Sequence, residues 1–157
     1  MIEYRAHLIN KLESATKEFR ETCLSATDPL APLSEDGWNV HQIAAHTRDV
    51  NDLVYGLRAK RTAQEDNPEF QNFDGDAYMA EHYDKNESLS ELLDGFVKNV
   101  ETLSDLLKNL PAEAWSRESR HVTFGGGFTL QTWVERNLTH IEEHLKTIKE
   151  HVETKSP

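Results

Sequence analysis

The sequence predicts an all-α protein, a four-helix bundle with long crossover connections. Apolar side chains recur at helical spacing through four long segments, whereas the alternation typical of β-strands is almost absent. Roughly 25 residues separate the second and third predicted helices, enough to run the length of a bundle. The 157 residues suit a single domain spanning 1–157.

The first two predicted helices begin and end at recognisable signals. The first runs over about residues 2–25, carries Cys23 on its apolar stripe, and ends at a proline-containing loop. The second opens at Asn39, which can cap the chain while Gln42 returns a hydrogen bond, as in a capping box. Its apolar stripe includes a histidine; the stripe consists of Ile43, His46, Val50, Leu53, Val54 and Leu57.

The other two helices are separated by a second long connection. The third is predicted from Ser88 to Pro111, which stops it, and the fourth from near Thr129 to about Val152. A short extra helix is predicted over residues 74–83. The segment FGGGF before the fourth helix lacks the Lys and Ser/Thr of a phosphate-binding loop, so we expect a flexible turn there.

Composition and charge narrow the function classes. With 28 acidic and 17 basic residues the formal charge is -11, which disfavours binding to nucleic acid or to an anionic membrane. No apolar run approaches the roughly 20 residues that cross a bilayer. The single cysteine and the charged N-terminus predict a reducing, cytoplasmic location and an inert, buried Cys23. Acidic composition alone indicates no positive partner.

Three histidines are candidate metal ligands. His140 and His144 lie four residues apart, so a helix presents both imidazoles on one side at the edge of the core. His46 occupies a core position in the second helix. Burying an unpaired imidazole costs about 1–3 kcal/mol, whereas three neutral imidazoles can hold a divalent cation and leave a coordination position open. The alternative is a core histidine bonded to a carbonyl or carboxylate group.

Other polar residues have a weaker claim to the site. Asp49, one turn after His46, is a candidate carboxylate beside the open coordination position. His41 lies about 140° around the helix from His46, so we expect it on the surface. His82 and His121 fall in the two long connections, from which either could reach the site.

Two segments resemble a known family. GWNVHQIAAHTRDV resembles the opening of the second helix in DinB-like metalloenzymes, and NLTHIEEHLKTI resembles their closing His-x-x-x-His helix. The resemblance implies a four-helix bundle, frequent homodimers, and a divalent metal ion, often zinc or nickel, held by His46, His140 and His144. Many relatives have an aspartate directly after the first histidine of this last motif, where this chain has Ile141.

The resemblance also implies a class of activity. Characterised relatives include thiol S-transferases, so the leading hypothesis is a metal-dependent enzyme that transfers a low-molecular-weight thiol to an electrophilic small molecule. Asp49 would then be an acid–base or orienting group, with Trp133 and Tyr78 as walls of the pocket. The alternatives are a metal-dependent hydrolase and a non-catalytic bundle, with a structural or degenerate metal site, that binds a small molecule or dimerises.

Overall fold

A computed structural model describes residues 2–34 and 37–155, with side chains described as far as Val152. Its long helices confirm the predicted all-α bundle. A π-helical segment interrupts the second of the four predicted helices. The helices are α1 Ile2–Leu24, α2 Val40–Val50, the π-helix Asn51–Tyr55, α3 Gly56–Gln64, α4 Gly75–His82, α5 Leu89–Lys108 and α6 Leu130–Lys155, with a short 3-10 turn at Ala112–Ser116.

The four long helices cross over as predicted. Helix α1 packs against both α5 and α6, while α2 packs against α5 and α3 packs against α6. The first and second bundle helices therefore occupy diagonal corners, as do the third and fourth, an arrangement that spacing in the sequence cannot determine. The core lies between them; its largest fully buried side chains are Trp133, Phe19, Phe96, Leu12, Leu92, Leu93, Leu107, Leu130, Ile141 and Ile148.

The helix starts follow the predicted capping chemistry. The Asn39 side chain accepts a hydrogen bond from the Gln42 amide, and the Gln42 side chain accepts one from the Asn39 amide, which completes a capping box. Ser88 accepts a hydrogen bond from the Glu91 amide at the start of α5. The capping box fixes where α2 begins and so fixes the direction in which His46 points.

The predicted apolar stripe of the second helix is wrong at Leu53 and Leu57, whereas Val54 is buried as predicted. Leu53 and Leu57 are 41% and 37% exposed, because the π-helix adds about one residue to a turn and rotates the following positions around the axis. Gly56 permits this turn, since a Cβ there would lie 2.3 Å from the carbonyl oxygen of Asn51. After the shift, Arg58, Ala59 and Thr62 face the interior.

A small sheet that the sequence did not predict joins the two long connections. It consists of β1 Glu69–Phe70, β2 Glu118–His121 and β3 Gly125–Thr129 in that order, with β1 parallel and β3 antiparallel to β2. The glycines of FGGGF belong to β3 and not to a flexible turn. Gly125 and Gly127 have positive φ angles of 85° and 83°, which glycine adopts readily. Because glycine has no side chain, this segment lacks the alternation of apolar and polar residues by which strands are recognised in a sequence.

Cys23 is buried, as predicted. Its side chain is fully inaccessible, and burial raises the pKa of the thiol to about 12. The thiol is therefore protonated and unreactive at neutral pH. None of the described helices combines the length and the apolar character needed to cross a lipid bilayer.

Candidate metal centre and adjoining cavity

The structure brings His46 from α2 together with His140 and His144 from α6. The Nε2 atom of His140 lies 3.2 Å from Nε2 of His46 and 3.1 Å from Nε2 of His144. Among the described residues, these three form the one cluster of potential metal ligands, with one ligand atom of each within 4.8 Å of the others. The three side chains are partly buried, so the cluster lies at the edge of the core.

The spacing of the three nitrogens fits a shared cation. Zinc–nitrogen bonds of about 2.0–2.1 Å place two ligands about 3.3 Å apart in a tetrahedron and about 2.9 Å apart at a right angle. The contacts of 3.1 and 3.2 Å lie between these values. One Nε2 atom has a single proton or a single lone pair, so His140 cannot form well-aligned hydrogen bonds to both neighbours. A cation between the rings would satisfy all three.

Burial keeps these imidazoles neutral, which is the form that binds metal ions. Desolvation, and then repulsion between His46 and His144 when both are protonated, lower the pKa of His46 to about 4, opposed by Asp76. Desolvation and the two neighbouring histidines lower the pKa of His140 to about 3, and burial also lowers the pKa of His144. The Nδ1 atom of His140 is buried without a hydrogen-bond partner among the described residues, so packing alone holds this ring.

Packing orients the two rings that face the interior. The ring of Trp38 lies 4.9 Å from that of His46, and Tyr55, at the end of the π-helix, lies 5.8 Å from His140. On another side of His46, Gly75 begins α4, and a Cβ at that position would lie 3.1 Å from Cε1 of His46. Elements from three parts of the chain therefore confine the candidate ligands.

A cavity of about 370 Å³ adjoins the cluster, within the range of small-molecule sites. His46 and His140 form part of its wall, and aromatic and aliphatic side chains form much of the rest. Trp133 is one of them, as the sequence predicted. The described lining residues are His46, Val50, Val54, Tyr55, Arg58, Asn72, Phe73, Gly75, His121, Phe124, Phe128, Trp133, Arg136 and His140.

The sheet fixes one wall of this cavity. Trp133 Nε1 donates a 2.7 Å hydrogen bond to Ser119 Oγ in β2, and the indole stacks on Phe128 in β3. In His121, Nδ1 accepts hydrogen bonds from the backbone amides of Thr123 and Phe124. The proton of a neutral His121 must therefore lie on Nε2, which makes this buried ring a hydrogen-bond donor.

Two other predicted site residues, Asp49 and Tyr78, are not among the described residues that line the cavity. Asp49 is paired with Arg48 at 3.0 Å, and Arg48 also contacts Glu87 at 2.6 Å, so the acid–base role of Asp49 stays a prediction. The ring of Tyr78 stacks on the exposed His82.

The prediction that His41 lies on the surface is wrong. The residue is 3% exposed, because the segment that leads into α5 packs over the first turn of α2. Its Nε2 donates to the Glu87 carbonyl oxygen at 2.7 Å, and its Nδ1 accepts from the Tyr83 hydroxyl at 2.6 Å. His41 is therefore a satisfied core histidine, the alternative first considered for His46.

Sequence reasoning missed the two arginines of the cavity, Arg58 and Arg136. Arg58 faces the interior only because the π-helix rotates the positions after it. A second cavity of about 300 Å³, lined by Ile9, Leu107 and Trp115 among others, contains none of the three clustered histidines. The cavity beside the histidines is therefore the candidate functional site.

Comparison with known proteins supports this fold and its family. No curated protein sequence matches the chain significantly. Among solved structures it is similar to YfiT from Bacillus subtilis, described as a probable metal-dependent hydrolase with an unusual four-helix bundle topology, with a TM-score of 0.87 and 23% identity over 98% of this chain and 89% of that one. A family model described as the DinB superfamily matches residues 5–148. Because that match covers nearly the whole chain, the protein belongs to the DinB superfamily.

Proposed function

We propose that the protein is a divalent-metal-dependent enzyme acting on a small molecule in the cavity beside the three histidines. One observation carries the proposal: Nε2 atoms from two separate helices converge at 3.1 and 3.2 Å at the cavity wall. His46, His140 and His144 would be the ligands. Three neutral imidazoles suit zinc or nickel.

The bound cation would act as a Lewis acid on a water molecule or thiol in its remaining coordination positions. Residues of the chain would keep the ligands neutral, hold their rings in place and exclude water. Burial keeps the three imidazoles unprotonated, and Tyr55 and Trp38 hold two of the rings in place. The apolar lining, including Val54, would exclude bulk water around the substrate.

We propose transfer of a low-molecular-weight thiol as the reaction, on the family resemblance and with the support of the residues that line the cavity. Its described lining residues include no carboxylate that could remove a proton from water, whereas Arg58 and Arg136 supply positive charge. Nearby cations favour the thiolate of a thiol whose ordinary pKa is about 8.5, and a bound divalent cation would also lower the pKa of water from about 15.7 to about 7. Hydrolysis, which the similarity to YfiT suggests, is the alternative.

Metal analysis tests the ligand set. Protein purified without a polyhistidine tag should contain about one equivalent of a divalent metal ion per chain, and His46→Ala should lose it. His7→Ala is the matched control, since His7 is exposed on α1 and should retain the ion. Equal metal content in wild type and His46→Ala would contradict the proposal.

Cobalt substitution separates a catalytic site from a structural one. If the site is open, the visible spectrum of the cobalt protein should shift as a small thiol is added; a closed structural site should give no change. Consumption of thiol by an electrophile such as monochlorobimane and hydrolysis of an activated ester then distinguish thiol transfer from hydrolysis. Ester hydrolysis without thiol consumption would favour the alternative.

A further inference from the structure

Two arginines of the cavity wall share one aromatic surface. The guanidinium carbon of Arg58 lies 4.9 Å from the centre of the Trp133 ring, and that of Arg136 lies 5.9 Å from it. Arg58 is buried on α3 and donates a hydrogen bond to the Gln71 carbonyl oxygen at 2.9 Å. Arg136 is exposed on α6, one turn before His140, and also lies over Phe128. Both positive charges thus border the cavity next to the histidines.

Neither arginine has a carboxylate within ion-pair distance among the described residues. Of the other six arginines, four form ion pairs with described residues, and Arg5 and Arg117 donate hydrogen bonds to uncharged oxygens instead. Those pairs are Arg20–Asp94, Arg48–Asp49, Arg48–Glu87, Arg61–Glu65 and Arg120–Glu69. The stacking on Trp133 orients the guanidinium groups but does not neutralise them.

The two charges affect other groups at the cavity. Burial, then Arg58 and Arg136, lower the pKa of His121. Burial and Arg136 lower the pKa of Arg58, opposed by Tyr55. Partly desolvated cations of like charge destabilise one another, and an anion between them would offset that cost.

We propose that Arg58 and Arg136 bind a carboxylate or phosphate group of the substrate or cosubstrate inside this cavity. Guanidinium groups suit both oxyanions, because their planar N–H donors match two oxygens at once. His121 Nε2 supplies a further donor in the same wall. The apolar side chains Val54, Phe124 and Phe128 accommodate the rest of the molecule. That this molecule is the substrate rests on the proposed function; the binding itself requires no metal ion.

Isothermal titration with succinate and with inorganic phosphate tests the site, with uncharged succinamide as the reference compound. The titrations use protein stripped of metal with a chelator and protein loaded with zinc. We expect saturable 1:1 binding of at least one anion to both forms and none of succinamide. Arg136→Gln should weaken it at least about tenfold, since a charge-assisted hydrogen bond is lost. Arg136→Lys should retain part of the affinity. Whichever anion binds more tightly identifies the group.

Arg120→Gln is the matched control. It changes the net charge equally, and Arg120 is an exposed residue of β2 outside the cavity lining, so its anion affinity should equal that of wild type. Because Arg58 is buried, Arg58→Lys is informative if its unfolding transition stays cooperative; Arg136→Gln carries the test otherwise. No saturable anion binding, or equal weakening by Arg120→Gln and Arg136→Gln, would overturn the proposal.

The same titrations separate this inference from the proposed function. If His46→Ala retains its metal but Arg136→Gln loses the anion, the arginine site stands and the metal site fails. If His46→Ala loses its metal and Arg136→Gln binds anions like wild type, the arginine site fails and the metal site stands. Metal content measured on His46→Ala, together with anion binding measured on Arg136→Gln, shows which case applies.

Discussion

The Nε2 atom of His140 is the centre of the candidate metal site, since both other imidazoles contact it. The residue gains this position from its place on α6, one turn before His144 on the same face, and from the approach of α2. Its Nδ1 has no hydrogen-bond partner among the described residues to lock the ring. The ring positions therefore depend on close packing, and small changes in that packing should alter metal affinity.

Gly75→Ala tests this dependence on packing. The new Cβ would lie 3.1 Å from Cε1 of His46, so the imidazole must move by a few tenths of an ångström. We expect metal affinity to fall by about tenfold while all three ligands remain, as for changes in the groups that support metal ligands. Competition with a chromophoric chelator measures the affinity.

Gly95→Ala is the control for this substitution. A Cβ at Gly95, within α5, would have no heavy atom within 4 Å, so metal affinity should not change. Helix stability should rise by roughly 0.5–1 kcal/mol, because alanine restricts the unfolded chain more than glycine does. Equal affinities in the two variants would show that His46 tolerates the displacement.

Asp52→Asn should change how stability depends on pH. Burial raises the pKa of Asp52 above its usual value of 3.8, so the native state binds a proton more readily than the unfolded state. The stability contributed by this group is present below pH 3.8 and is lost as the pH rises through its folded-state pKa. Asparagine lacks this penalty and can still accept the hydrogen bond from Asn51 Nδ2.

Urea unfolding at pH 4 and pH 7 measures the effect. Asp52→Asn should be more stable than wild type at pH 7, by about 1 kcal/mol or less because the side chain is partly exposed, and the difference should shrink at pH 4. Asp66→Asn, at an exposed loop position, is the control for the change in formal charge. A difference for Asp52→Asn that grows towards pH 4 would contradict the assignment.

At the scale of elements, the π-helix decides which side chains reach the cavity. It places Tyr55 against His140 and Trp133 and turns Arg58 inward. A buried amide contact supports it, since Asn137 Nδ2 on α6 donates to Asn51 Oδ1 at 2.9 Å. Such single-turn expansions often occur at functional sites.

Gly56→Ala should disrupt this segment. A Cβ 2.3 Å from the Asn51 carbonyl oxygen cannot be accommodated without moving backbone, so the π-helical turn must rearrange. We expect a loss of roughly 1–3 kcal/mol in the free energy of unfolding, typical of overpacking, measured by urea denaturation. Metal affinity should fall as well, because Tyr55 moves relative to His140. A variant as stable as wild type would show that the turn tolerates a Cβ.

The sequence predicted those parts of the site that depend on regular helices. Asn39 marked the start of α2, and the spacing of His140 and His144 placed both rings on one face, so the meeting of these rings with His46 could be anticipated. The π-helix has no periodic signature in the sequence, so the inward orientation of Arg58 could not be anticipated. His41 was misplaced because its burial depends on the segment around Tyr83, remote in sequence.

At the scale of the whole molecule, the candidate metal site joins two helices that belong to different halves of the chain. A cation bound to the folded state alone would stabilise it by about 2.7 kcal/mol at a free concentration 100 times its dissociation constant. We therefore expect excess zinc to raise the melting temperature of wild type by several degrees relative to chelator-treated protein. His46→Ala, compared under the same two conditions, should show no such difference.

Thermal unfolding followed by circular dichroism checks this expectation. An equal rise in the melting temperature of wild type and His46→Ala would indicate binding elsewhere, for example at the acidic surface. The homodimer implied by the family resemblance stays a prediction, which analytical ultracentrifugation of the metal-loaded protein can test.

The three-stranded sheet ties together the two long connections, because β1 comes from one of them and β2 and β3 from the other. The histidines, by contrast, stand on the bundle helices α2 and α6. The candidate metal ligands and part of the cavity wall therefore lie in separate regions of the chain. Exchange of the hairpin around Phe124 would therefore alter which ligands fit the cavity while the candidate metal site is inherited unchanged.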